Sequence, residues 1–353
     1  MSLLLIGTYT RGSGGIHLVE MDDHTGALEY RHLAAECVNP SFLVVSPDRK
    51  SVFTVHETAD YKGANTGSVG AFCCDPITGK LTLRNTQSSH GSYPCHITIS
   101  KSGKHVLVAN YGSGTLAVLP VLPEGSLADA SCIIQHHGSS VNSSRQEGPH
   151  AHSVNLDASN RFALACDLGT DQILIYRFDG THGALTPSKQ AAVAARPGAG
   201  PRHLAFHPNG RIAYVINELD STIAAYRYAS ADGSLALIDT VSTLPTGFSG
   251  ASTTAEVVVH PSGKWVYGSN RGHDSIAVFA VNPGSGALRP VGHVSTEGKT
   301  PRNFVCHPSG SFLVVGNQES DTLIVFQIDL RTGIPRPTQH RVSVPQPVCV
   351  RFL

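Results

Sequence analysis

The feature that most constrains this chain is a pattern that returns along its whole length. The segment Pro201-Arg-His-Leu-Ala-Phe-His-Pro-Asn-Gly-Arg-Ile-Ala-Tyr-Val-Ile-Asn-Glu218 has counterparts starting at Pro40, Pro94, Ala151, Thr254 and Pro301, and a partial copy starts at Pro347. Successive starts lie 46 to 57 residues apart, a period of propellers and solenoids rather than of a single packed core. Alternation in Ile212-Ala-Tyr-Val-Ile216 and Thr222-Ile-Ala-Ala-Tyr-Arg-Tyr228 predicts strands. Turn residues punctuate them: Pro208-Asn-Gly, Pro261-Ser-Gly and Pro308-Ser-Gly after the first strand, Asp232-Gly-Ser and Pro283-Gly-Ser-Gly before the last. Four strands per unit is one propeller blade. No helical stripe runs through the chain, and 35 Gly with 21 Pro are too dense for long helices.

The two ends complete the count. Gln346 to Leu353 supply only a first strand, whereas Leu3 to Gly7, Ile16 to Asp22 and the stretch from Leu28 supply the other three. The expected fold is all-β, a seven-bladed propeller forming a single domain over residues 1–353. One blade joins strands from both termini, which removes the open sheet edge.

Charge narrows the partners. Lys plus Arg number 26 and Asp plus Glu number 26, so no basic surplus suggests nucleic acid. The N-terminus lacks a basic region and a long apolar run, and no window approaches a membrane span. Eight cysteines without a CxxC pair predict free thiols rather than disulfides or a zinc site. These features together predict a cytoplasmic protein that touches neither nucleic acid nor membrane; nothing in the sequence fixes an oligomeric state.

Repeat geometry locates the polar groups. The start of the first strand and the end of the second lie at one rim, where seven copies ring the mouth of the central channel. Residues that recur by blade are read as structural: Asn110, Asn217, Asn270 and Asn317 at the ends of second strands, and His207, His260 and His307 before turns at the opposite face. Ionisable residues that break the pattern are the functional candidates: His152, Arg202, Glu218, Arg271, His56, Glu57 and Glu256. Gly148-Pro-His-Ala-His152 brings His150 to the same mouth, without an evident third metal ligand.

These residues resemble a known family, the seven-bladed lactonase propellers, which include bacterial propeller-type 6-phosphogluconolactonases and fungal carboxy-cis,cis-muconate cyclases. The matching stretches are Ile6-Gly-Thr-Tyr-Thr10, Gly148-Pro-His-Ala-His152, Gly200-Pro-Arg-His203, Asn217-Glu-Leu-Asp220, Ala255-Glu256 and Ser269-Asn-Arg-Gly-His273, spread from about residue 3 to the C-terminus. The resemblance implies a catalytic set of His, Arg, Glu and Arg, which falls on His152, Arg202, Glu218 and Arg271.

The expected activity is hydrolysis of an anionic sugar δ-lactone, 6-phospho-D-glucono-1,5-lactone foremost, without metal or cofactor. Glu218 or His152 would be the base. Arg202 would face the oxyanion, and Arg271 would hold the phosphate or a carboxylate. Asp167 would orient His152, and His56 and Glu57 would assist. No GxSxG elbow suggests an acyl-enzyme. The alternatives are a muconate-type cycloisomerase and a non-catalytic scaffold; the scaffold lacks the Trp-Asp signature, since Trp265 is the one tryptophan.

Overall fold

The computed structural model describes residues 1–10 and 14–353. Seven four-stranded antiparallel sheets form a ring, a seven-bladed β-propeller, and the only helical element among the described residues is the 3-10 turn Gln318–Ser320. Blade 5 shows the unit: Pro201–Phe206, Ile212–Asn217, Thr222–Ala229 and Ser234–Ser242, hydrogen-bonded in that order. Blades 2, 3, 4, 6 and 7 begin at Leu43, Pro94, Ala151, Thr253 and Pro301. Blade 1 takes Pro347–Phe352 as its innermost strand beside Ser2–Thr8, Gly15–Met21 and Leu28–Glu36. Leu5 faces Arg351 and Ile6 faces Val350 across that seam, as the sequence predicts for a ring closed by both termini.

Each sheet is apolar on both faces because each is covered by a neighbour. Phe162 and Ile175 of blade 4 pack with Val215 and Tyr226 of blade 5, and Tyr214 and Ile223 of blade 5 pack with Val266 and Phe279 of blade 6. Similar clusters join the remaining pairs. The core is therefore a series of layers between blades, not one centre.

The recurring histidines are latches between blades. The ring of His207 bonds the Gly263 carbonyl of the next blade at 2.9 Å, and that of His260 bonds the Gly310 carbonyl at 2.9 Å. His307 reaches Asp23 at 3.2 Å. The recurring asparagines serve the opposite rim: the side-chain amides of Asn110, Asn270 and Asn317 donate to the carbonyls of Ser89, Thr243 and Thr296. No helix among the described residues is long and apolar enough to cross a membrane.

Candidate active site

A β-bulge opens nearly every innermost strand. Pro201 pairs with Asn217 but His203 with Ile216; Ala151 pairs with Asp167 but Ser153 with Cys166. The same shift follows Pro94 and Pro301. The residues left over are Cys95, His152, Arg202 and Arg302. A bulge breaks strict alternation and re-aims the extra side chain. Two consecutive residues of a strand, Arg202 with His203 and Arg302 with Asn303, thus line the same internal cavity. The position just after the second strand supplies the rest of the mouth: Glu57, Tyr111 and Glu218 follow strands ending at His56, Asn110 and Asn217. Arg271 ends its own strand, Trp265–Arg271.

These groups enclose a cleft of about 280 Å³ lined by Glu57, Cys95, Tyr111, Arg145, His152, Glu218, Thr253, Arg271 and Arg302. Glu218 is its hub. Its Oε2 accepts from Arg202 Nε at 3.0 Å and lies 3.1 Å from an Arg271 terminal nitrogen, and its Oε1 accepts from Arg145 at 2.7 Å. His152 Nε2 is 3.8 Å from the same Oε2. Across the cleft, Arg302 donates to the Tyr9 hydroxyl at 2.8 Å, and that hydroxyl donates to both Glu57 oxygens at 3.0 Å. Four guanidinium groups, those of Arg145, Arg202, Arg271 and Arg302, stand against the carboxylates of Glu57 and Glu218. The mouth is therefore a positive focus on a chain whose formal net charge is zero.

The protonation states follow from burial and neighbours. Burial alone would raise the pKa of Glu218, but Arg271 and Arg202, with the Arg145 hydrogen bond, reverse the sign and hold it at about 2. Burial lowers Arg271 to about 10 despite Glu218, so it stays charged at neutral pH. Burial, reinforced by Arg202, keeps His152 well below the usual imidazole range and hence neutral. Burial also raises Tyr9, which remains a phenol able to donate to Glu57.

The structure sorts the sequence candidates. His152, Glu218, Arg271 and Glu57 line the cleft. Arg202 lies beneath it: its Nε is taken by Glu218, and its Nη1 by the Ala255 carbonyl at 2.6 Å. Asp167 does not orient His152. Its Oδ2 bonds His136 at 2.6 Å, and its Oδ1 accepts from the His150 and Thr170 amides, because the strand aims it away from the channel. His150 does not line the cleft; it is buried, stacked on Tyr111 at 4.5 Å and bonded to the Tyr111 carbonyl and Glu147. The two histidines of Gly148-Pro-His-Ala-His152 therefore diverge, and among the described residues no three His, Cys, Asp or Glu side chains gather as a metal would require. His56 bonds Ser68 behind the mouth at 3.0 Å. Glu256 sits deeper in the channel, bonded to His203 at 3.0 Å and to Asn303.

Sequence reasoning passed over three residues. Arg302 stands at the same repeat position as Arg202, one residue after the start of the innermost strand Pro301–Cys306. Tyr9 occupies in blade 1 the position of Glu57, Tyr111 and Glu218, immediately after the strand Ser2–Thr8, and was hidden because that repeat is split between the termini. Arg145 lies between the strands Cys132–Gln135 and Ala151–Leu156, outside any repeat position, and no periodic signal marks it.

A family model described as "Lactonase, 7-bladed beta-propeller" matches residues 3–352. The chain belongs to this lactonase family. Among its relatives, the 6-phosphogluconolactonase of Bacillus subtilis is 40% identical over 349 residues, covering 99% of this chain and 97% of that one. A solved structure of a putative 6-phosphogluconolactonase from Bacteroides fragilis superposes with a TM-score of 0.93 at 36% identity, covering 100% of this chain and 98% of that one. The periplasmic gluconolactonase of Pseudomonas aeruginosa superposes at 0.92 with 34% identity, covering 100% and 99%.

Proposed function

We propose that this lactonase opens 6-phospho-D-glucono-1,5-lactone to 6-phosphogluconate. The observation that carries the reading is the cleft itself, where guanidinium groups outnumber carboxylates around a neutral, buried imidazole. Such a pocket suits a substrate bearing a phosphate that also develops an oxyanion. The names of the relatives support lactone opening over muconate-type cyclisation. The eight unpaired thiols support a reducing, cytoplasmic setting.

In this reading Arg145 and Arg271, the cleft arginines gathered on Glu218, hold the phosphate; the Arg145 side chain is 38% exposed and marks the solvent side. Arg302, charged and turned into the cleft from its bulge, faces the carbonyl oxygen as it becomes an oxyanion. Arg202 acts from below by fixing Glu218. Glu218 is a poor base, since both its oxygens are bound by guanidinium groups and its pKa is about 2. The remaining candidates are His152 and Glu57, and burial with Arg202 holds His152 well below the usual imidazole range.

The test is hydrolysis of freshly generated 6-phosphoglucono-1,5-lactone, beside glucono-1,5-lactone, with and without a chelator. We expect turnover well above the spontaneous rate, insensitive to the chelator. Arg302→Met should lower kcat by roughly a hundredfold or more, as for loss of an oxyanion donor. A rate equal to spontaneous opening would overturn the reading.

A further inference from the structure

Adjoining the cleft is a small cavity of about 10 Å³. It shares Glu57, Cys95 and Arg302 with the cleft and is completed by Ser41, Arg202 and Asn303. Its volume is at the ~10–15 Å³ that one water requires, and a water is held in such a space only with two to four polar partners. Those partners are present. Ser41 is 4% exposed, and its hydroxyl has no hydrogen-bond partner among the described residues. Burying a hydroxyl without a partner is unfavourable, and a single water would remove that cost. The Glu57 carboxylate is bonded by the Tyr9 hydroxyl alone among the described residues, so it keeps lone pairs for a second donor. Asn303 and His203 are already occupied, by Glu256, Val350 and Arg202.

We propose that this cavity seats one ordered water between Ser41 and Glu57, and that this water is the nucleophile of lactone opening. The inference rests on the lactonase reading above and assigns the base within it to Glu57. Glu57 and Arg302 belong to both spaces, so a water there lies at the floor of the cleft. Its oxygen forms the new bond to the lactone carbonyl carbon while one of its protons passes to Glu57. The ring carbon–oxygen bond then breaks, and Glu57 returns that proton to the departing ring oxygen. The product is a hydroxy acid that ionises to solvent, and Glu57 is restored as a carboxylate. Tyr9 holds Glu57 in place, and Ser41 is a positioning residue that touches only the water.

The experiment pairs a crystal structure at high resolution with steady-state kinetics on the phosphorylated lactone. The wild-type crystal should show one water within hydrogen-bond distance of Ser41 Oγ and the Glu57 carboxylate. Glu57→Gln should lower kcat roughly a hundredfold or more with KM little changed. Ser41→Val fills the cavity and displaces the water, so kcat should fall by at least about tenfold at unchanged KM. Ser41→Ala leaves room for the water but removes one of its two anchors, so kcat should fall, by less than in Ser41→Val, at unchanged KM. A merely structural hydroxyl would make the Ala and Val variants alike, and that result overturns the proposal. An empty cavity in the wild-type crystal, or wild-type turnover in Ser41→Val or Glu57→Gln, overturns it as well while leaving the lactonase reading intact. A wild-type protein that does not exceed spontaneous opening removes both.

Discussion

At the scale of single residues, Glu218 shows how one buried carboxylate can gather the charges of a cleft. Three arginines converge on it, and each would repel the others without it. Such a buried cluster is strongly destabilised when one member is removed. Glu218→Gln should therefore lower the thermal midpoint and also raise KM for the phosphorylated lactone, because Arg145 and Arg271 lose their shared anchor. Acid titration gives a separate check. Arg271 and Arg202, overriding burial, depress the Glu218 pKa from 4.5 to about 2, so its contribution is fully present above 4.5 and lost as pH falls through 2. That contribution is about 3 kcal/mol. Denaturant unfolding followed by the fluorescence of Trp265 should show wild-type stability falling more steeply than that of Glu218→Gln between these pH values. Parallel curves would show that the arginine clamp is not what depresses the carboxyl.

At the scale of elements, the bulge at the start of the innermost strand is the unit that makes a site from a repeat. Without it, alternation would turn Arg202 or His203 into a blade interface; with it, both reach the channel. The other end of the same strand ends in the histidine latch. His260 bonds Gly310 of the next blade and Ser262 of its own turn. A side chain on Gly310 would place its Cβ 2.7 Å from that ring, at a φ of +77° that favours glycine. His260→Ala should cost about 1–3 kcal/mol of stability. Since it lies at the rim opposite the cleft, kcat on the lactone should not change. Calorimetry beside the lactone assay tests both, and a drop in kcat without a drop in stability would refute the latch.

At the scale of the whole molecule, the ring is only as strong as its seam. The terminal strand Pro347–Phe352 pairs with Ser2–Thr8 and packs its Val350 and Cys349 into the clusters on either side. Removing residues 346–353 exposes the edge of the strand Ser2–Thr8 and opens two interblade layers. Such a chain should lose its single cooperative unfolding transition and aggregate, whereas removal of Met1 alone should leave the transition in place. A truncated chain that still unfolds in one sharp step would show that six blades suffice.

The sequence by itself determined the ring, because a fold built from one repeat writes its period, its turns and its closing strand into the order of residues. It also placed His152, Glu218, Arg271 and Glu57 at one mouth, since a position within the repeat is a height along the channel. It could not decide which charged groups pair there. Asp167 chose His136 over His152, Arg202 went beneath the floor while Arg302 opened to the cleft, and Arg145 joined from outside the repeat. Repeat position fixes where a side chain leaves the backbone. Where its charge comes to rest depends on neighbours brought together only when the ring closes, at distances where each ion pair competes with burial, and only the tertiary structure settles that competition.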